Sequence, residues 1–262
     1  MRIGYLQFTP VFGEVARNLE RVTLLLEDAD ADLLVLPELF ASGYQFRSRD
    51  ELLGLAESPQ GPTAEALTRA AARGGFHLAA GFPERNGDRA YNSAMLVGPD
   101  GVVGVYRKTH LFDAETEIFE PGDSGFQVFD AGEARVGLMV CWDWIYPESA
   151  RTLALMGADI IAHTANLVLP WCQSCMPTRC IENRVFAVTA NRCGEELRVG
   201  QGLRFTGQSV IVSPRGETLA RGPEQGEELR IVEIDLALAR DKQPTTRNHL
   251  FEDRRPGMYR LG

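Results

Sequence analysis

Short apolar runs recur along the chain, each closed by a turn signal. RIGYLQF, DLLVLPE, HLAAGF, NSAMLVG, VVGVYRK, ARVGLMVC, DIIAHTA, FAVTANR, QSVIVSP and ELRIVEIDL read as strands. Most lack polar alternation, which suits sheets covered on both faces. Helical spacing lies between them. Leu19, Val22 and Leu26 share one face of NLERVTLLLEDA, with Asn18 as the expected N-cap. TAEALTRAAARGG stops at Gly74 and Gly75, and PESARTLALMGAD opens on Pro147 and stops at Gly157. PTRCIENRVFA is expected to open another helix at Pro177. GPDG, residues 98–101, reads as the turn of a hairpin. This order predicts one α/β domain over residues 1–262, with stacked sheets and helices outside. TTRNHLFEDRRPGMYRLG lacks periodicity and is expected to form an extended tail from about residue 240, packed on the body or on a second subunit.

Composition narrows the function classes. The 262 residues are 44% hydrophobic and 24% charged, enough for one sizeable core. A net charge of −9 and a pI near 5.1 argue against nucleic acid or anionic membrane as partner. MRIGYLQFTPVFGE lacks the pattern of a secretory leader, and no apolar run approaches the roughly 20 residues of a membrane span. The five cysteines, Cys141, Cys172, Cys175, Cys180 and Cys193, are odd in number in a long chain, so a reduced, cytoplasmic protein is expected. Cys172 and Cys175 form a CxxC with Cys180 close by, but a second ligand pair with zinc spacing is missing, and no metal is expected.

Cys141 ends the apolar run of VGLMVCWDWIYPE, where a strand would meet a loop. A cysteine nucleophile needs a base or a positive charge to become thiolate at neutral pH. The helix begun by PESAR follows closely, so backbone N–H groups after Cys141 are candidates for an oxyanion hole. Among His77, His110, His163 and His249, His110 in YRKTHLF is best placed to act as base, and a Cys-His enzyme stays open. Carboxylates offer another route. Glu38 closes ADLLVLPE, Lys108 closes VVGVYRK and Cys141 closes ARVGLMVC. Strands of α/β sheets commonly present site residues at one edge, so base, cation and nucleophile would converge without histidine. A triad of this kind predicts that Glu38→Gln loses activity while His163→Ala and His249→Ala keep it.

LVLPELFASGY, YRKTHLF and VCWDWIYPESAR resemble, in order, the three signature segments of the nitrilase superfamily, the carbon–nitrogen hydrolases. YNSAMLVGPDG, FEPGDSGFQVF, GADIIAHTANLV, IENRVFAVTANRCGEE, FTGQSVIVSPRGE and HLFEDRRPGMY also resemble family segments, so the likeness covers nearly the whole chain. The resemblance implies a four-layer α-β-β-α sandwich that pairs through its outer helices, and a catalytic Glu38, Lys108 and Cys141. It implies a second glutamate six residues before Pro121, which is Glu115, with Glu117 the main rival in the acidic loop DAETEIFEPGD. No cofactor is implied. Tyr44, Trp142, Trp144, Asn166 and Trp171 become candidates for substrate binding. With no arginine in these segments to clamp a carboxylate, a small neutral or weakly polar acyl group is expected, unless Arg179 or Arg204 reaches inward. The implied activity is an amidase on a small linear amide or N-carbamoyl compound, or else a nitrilase on small aliphatic nitriles, in a homodimer or larger homo-oligomer. A binding protein on the same fold would have no need of all three reactive residues, and acyl transfer to an amine remains a further outcome.

Overall fold

The apolar runs pair into two six-stranded sheets that lie face to face. A computed structural model describes residues 1–259. The first part of the chain runs through β1 (Arg2–Gln7), α1 (Val15–Leu25), β2 (Leu33–Val35), α2 (Arg49–Leu55), α3 (Pro62–Gly74), β3 (His77–Asn86), β4 (Arg89–Gly98), β5 (Gly101–Arg107) and the short α4 (Glu115–Ile118). The second runs through β6 (Val128–Ala131), β7 (Ala134–Val140), α5 (Pro147–Leu155), β8 (Ile160–Ala165), α6 (Cys172–Asn183), β9 (Phe186–Asn191), β10 (Glu195–Glu196), β11 (Leu203–Arg204), β12 (Val210–Val212), β13 (Thr218–Arg221), β14 (Glu228–Glu233) and α7 (Ala237–Arg240). One sheet has the order β14-β1-β2-β3-β4-β5, the other β13-β12-β9-β8-β7-β6, and β10 pairs with β11 in a separate small hairpin.

The layers follow from which faces are apolar. Leu19, Val22 and Leu26 of the α1 segment and Leu67 and Ala71 of α3 pack on Leu34, Leu78 and Met95, covering the outer face of the first sheet. Its inner face, with Tyr5, Val35 and Ala79, meets Leu138, Ala162 and Val188 of the second sheet. Leu153 and Ala154 of α5 and Cys172, Met176 and Cys180 of α6 cover the second sheet's far side. The result is the α-β-β-α sandwich.

Three local expectations change. Asn18 does not cap α1, which starts at Val15 with Glu14 at the cap. Its buried side chain instead bonds Val11 N and O at 2.9 and 2.7 Å and Ala41 O at 2.7 Å, tying two loops together. Pro177 does not open α6 but lies inside it. Cys172, Met176 and Cys180 supply a buried stripe at helical spacing that outweighs one missing backbone donor. The cysteines that suggested a metal motif are thus partly core residues: Cys172 and Cys180 are buried and Cys175 is intermediate. The tail is not simply extended. Lys242 Nζ donates to Asn183 O and Arg184 O at the end of α6, and Phe251 packs between Arg151 and Lys242. Residues 260–262 of the expected tail lie outside the described residues. Among the described residues no helix is long and apolar enough to cross a membrane.

Candidate active site

Strand direction gathers the reactive residues. In the first sheet β2 and β3 run parallel, and two antiparallel steps bring β5 into the same direction. In the second sheet β7, β8 and β9 run parallel. Glu38 follows β2, Lys108 follows β5, Cys141 follows β7 and Asn166 follows β8, each at a carboxyl end. Two glycines allow the close approach. A Cβ at Gly81 would lie 2.5 Å from Glu38 Cα, and one at Gly122 would lie 2.6 Å from Lys108 O. The PGD segment therefore lies directly on the lysine's backbone.

Lys108 is the centre of a buried charge cluster. Its Nζ donates to Glu38 Oε1 at 2.8 Å and to both Glu115 oxygens at 2.8 Å. Asn92 Nδ2 donates to Glu38 Oε1 at 2.7 Å, Tyr44 OH to Glu115 Oε1 at 2.7 Å and Phe112 N to Glu115 Oε2 at 3.0 Å. Asn166 Nδ2 holds the Glu38 backbone carbonyl at 2.9 Å. Glu117, one turn face away on α4, is exposed. Burial by itself pulls the Lys108 ammonium down, but Glu115 and Glu38 outweigh it and hold the group firmly protonated. Two carboxylates around one ammonium leave an excess negative charge away from water. Burial accordingly raises Glu38 above the ordinary carboxylate range against the pull of Lys108. Among the described residues, buried Glu38 Oε2 has no hydrogen-bond partner.

Cys141 opens a 3-10 turn, Cys141–Ile145, with φ at +40°, in the left-handed region that non-glycine residues seldom adopt. Burial raises its thiol, as does the nearby Glu38 carboxylate, so the resting sulfur is protonated. Asp143 fixes the turn. Its carboxylate accepts from Val140 N at 3.0 Å, Tyr106 OH at 2.8 Å and His110 N at 3.1 Å. His110 Nδ1 lies 2.8 Å from Asp143 and the ring stacks on Tyr146 at 3.8 Å, so this histidine is engaged in holding the turn. His163 lies behind the turn, on the backbone carbonyl of Cys141. His77 begins β3 and His249 sits in the tail.

Two cavities open here. The larger, about 260 Å³, is lined by Tyr44, Gln45, Phe112, Glu115, Val199 and Leu203, among others. The smaller, about 10 Å³, is lined by Cys141, Trp142, Trp144, Asn166 and Leu167, and again by Phe112. Tyr44, Trp142, Trp144 and Asn166 therefore border the site, whereas Trp171 is 55% exposed at the start of α6 and lines neither cavity. Arg179 bonds the backbone of Trp144 and Ile145, and Arg204 pairs with Glu195 on the surface, so neither enters the cavities. Asn92, Asp143 and Glu196 went unnoticed in the sequence. The available signal for Asn92 and Asp143 was a polar residue inside a largely apolar run, in YNSAMLV and VCWDWI; Glu196 carried none.

A sandwich that presents a cysteine beside two carboxylates and a lysine belongs to the hydrolases that work through a cysteine nucleophile. Residues 2–243 match the carbon-nitrogen hydrolase family. A Pyrococcus abyssi protein named nitrilase is 47% identical over 263 residues, covering 99% of each chain. The N-carbamoylputrescine amidase of Arabidopsis thaliana is 30% identical over 284 residues, covering 99% of this chain and 94% of its own. A mutant amidase from Nesterenkonia sp. AN1, with acrylamide added at its active-site cysteine, superposes with a TM-score of 0.77 at 26% identity, over 93% of this chain and 96% of that one. The chain belongs to the carbon–nitrogen hydrolase family. It is a hydrolase of non-peptide carbon–nitrogen bonds.

Proposed function

We propose that the protein is an amidase that releases ammonia from a small linear amide or N-carbamoyl compound, with Glu38, Lys108, Glu115 and Cys141 as its catalytic residues. The observation that carries this reading is the backbone-strained Cys141 at the cleft, set at the same sheet edge as the buried Glu38–Lys108–Glu115 cluster. Glu38 takes the thiol proton and Cys141 Sγ attacks the amide carbon. The Lys108 ammonium and the Trp142 backbone N–H stabilise the negative oxygen of the tetrahedral intermediate. Glu38 returns its proton to the leaving nitrogen, ammonia departs and a thioester remains. Glu38 then removes a proton from water, whose oxygen attacks the thioester carbon; the C–S bond breaks, the Cys141 sulfur takes the proton back from Glu38, and the acid is freed. Glu115 keeps the lysine in place, and no cofactor enters the scheme.

The narrow, aromatic cleft at Cys141 supports a small acyl group, bordered by Trp142, Trp144 and Asn166, with Tyr44 on the other side of Phe112. The name of the Pyrococcus relative favours a second reading, hydrolysis of small aliphatic nitriles at the same cysteine. The whole chain acts as one catalytic unit in the cytoplasm, a location that its free cysteines support. It pairs as a homodimer, a reading supported by Leu155, Met156 and Ile181, which stand exposed on the outer layer formed by α5 and α6. Gel filtration at low micromolar concentration is expected to give a dimer. The deciding experiment is ammonia release from a panel of small amides, N-carbamoyl compounds and aliphatic nitriles, with Cys141→Ala beside the wild type. Release that depends on Cys141 supports the hydrolase, the best substrate chooses between the two readings, and release by Cys141→Ala rejects both.

A further inference from the structure

Arg192 and Glu196 form an ion pair sealed inside the protein, at 1% and 5% exposure, and the scheme above uses neither. Arg192 Nη1 donates to Glu196 Oε2 at 2.5 Å, and its guanidinium lies 4.1 Å above the ring of Phe205. Burying two charges is costly unless further hydrogen bonds are satisfied. The Glu196 carboxylate makes such bonds with the backbone of another loop: it accepts from Tyr44 N at 3.2 Å and from Gln45 N. Phe205, beneath the arginine, meets the Tyr44 ring edge-on at 6.0 Å. Tyr44 is thus held at its backbone by Glu196 and at its ring by Phe205, and its hydroxyl reaches Glu115 at 2.7 Å. Arg198 extends the same clamp, donating from its backbone to Gln45 Oε1 at 3.0 Å and from its guanidinium to Gln45 O at 2.8 Å.

We propose that the buried Arg192–Glu196 pair positions the active site: Glu196 locks the Tyr44–Gln45 backbone, and Tyr44 in turn holds Glu115 on the Lys108 ammonium. Glu196 is a positioning residue, since it bonds none of Glu38, Lys108, Glu115 or Cys141. The inference rests on the roles given above to Glu115 and Lys108. It asks for a loss in turnover carried through one hydroxyl, beyond any loss of fold.

The test is a double-mutant cycle of Glu196→Gln and Tyr44→Phe in the full chain, read as kcat and KM for ammonia release. Each single variant is expected to lower kcat roughly tenfold, the scale of one hydrogen bond to a charged group, with KM nearly unchanged. The double variant is expected to be no slower than Tyr44→Phe alone. Additive losses, or a change in KM alone, overturn the proposal. Glu196→Gln strands a buried guanidinium, so Arg192→Leu/Glu196→Leu is made beside it. That pair must fold and show the same kcat loss, and a fold that survives neither change places the pair in the core rather than in service of the site and overturns the inference. The rate of iodoacetamide alkylation at Cys141, read by mass on its peptide, gives the same cycle without substrate. A wild type that alkylates at Cys141 yet releases no ammonia rejects the amidase reading, and the alkylation cycle then judges the positioning role separately.

Discussion

The imidazole of His163 lies 3.0 Å from the backbone carbonyl of Cys141, through Nε2. A carbonyl only accepts, so Nε2 carries the proton, and Nδ1 accepts from the Thr189 hydroxyl at 3.0 Å. The ring is fully buried and neutral: burial lowers its pKa from 6.5 to about 4, against the pull of the Cys141 carbonyl. His163 therefore pins the carbonyl of a residue whose backbone is strained, and it does so without charge.

The pH dependence of stability follows from that depressed value. Above pH 6.5 both states hold neutral histidine and the contribution is fully present. As pH falls toward 4 the unfolded chain binds the proton first, and stability drops by roughly 3 kcal/mol. Urea midpoints are expected to fall through that window for the wild type and to fall less for His163→Gln. An equal slope in the two proteins would remove the histidine from the account. The contact also revises the expectation that His163 is dispensable. His163→Ala should lower activity by releasing the Cys141 turn, whereas His249→Ala, in the tail, should leave it unchanged.

The lysine offers a sharper separation of charge from chemistry. Removing one partner from a buried ion cluster costs roughly 3–5 kcal/mol, because the remaining charges have no solvent to turn to. Lys108→Met strands Glu38 and Glu115 together and is expected to lose both activity and stability. Adding Glu115→Gln takes away one of the two stranded charges. Denaturation midpoints should then recover in part while ammonia release stays absent. A Lys108→Met protein with a wild-type midpoint would mean that the carboxylates do not depend on the ammonium.

Much of this arrangement was readable before the fold, because Glu38, Lys108 and Cys141 each terminate an apolar run and parallel strands end on one side. The preference for Glu115 over Glu117 came only from the resemblance, through the spacing to Pro121, and not from the hydrophobic pattern. The choice depends on which face of a four-residue helix turns toward Lys108, and periodicity has too few residues there to decide. Asn18 and Pro177 misled for the opposite reason. Local preference for a cap and for a helix start was overridden by loop contacts and by a buried stripe on α6. Asn92 and Asp143 stand out in the sequence only as polar side chains within apolar stretches, and only packing says what each meets.

Phe112 lines both cavities and lies against Trp142 at a ring distance of 5.0 Å, so it stands as a partition between the Cys141 cleft and the larger space at Tyr44. Phe112→Ala should join the two. The ratio of kcat/KM for a longer acyl amide to that for acetamide is expected to rise on the order of tenfold, the scale of one or two methylenes in an apolar pocket. A ratio that stays fixed would locate the limit on size elsewhere.

The last prediction concerns the base itself. Glu38 must be ionised to take the thiol proton, and burial raises it above its ordinary value of 4.5. The acid limb of kcat/KM is therefore expected above that pH, with activity lost as pH falls through it. Asn92 donates to the charged form of Glu38 at 2.7 Å and so opposes the rise. Asn92→Ala removes that donor, favours the neutral acid and should move the acid limb to higher pH. At mildly acid pH the variant should be the slower enzyme, and at alkaline pH the gap should narrow. The measurement is kcat/KM against pH for both proteins. A limb that stays in place, or moves down, would mean that the proton in question does not reside on Glu38.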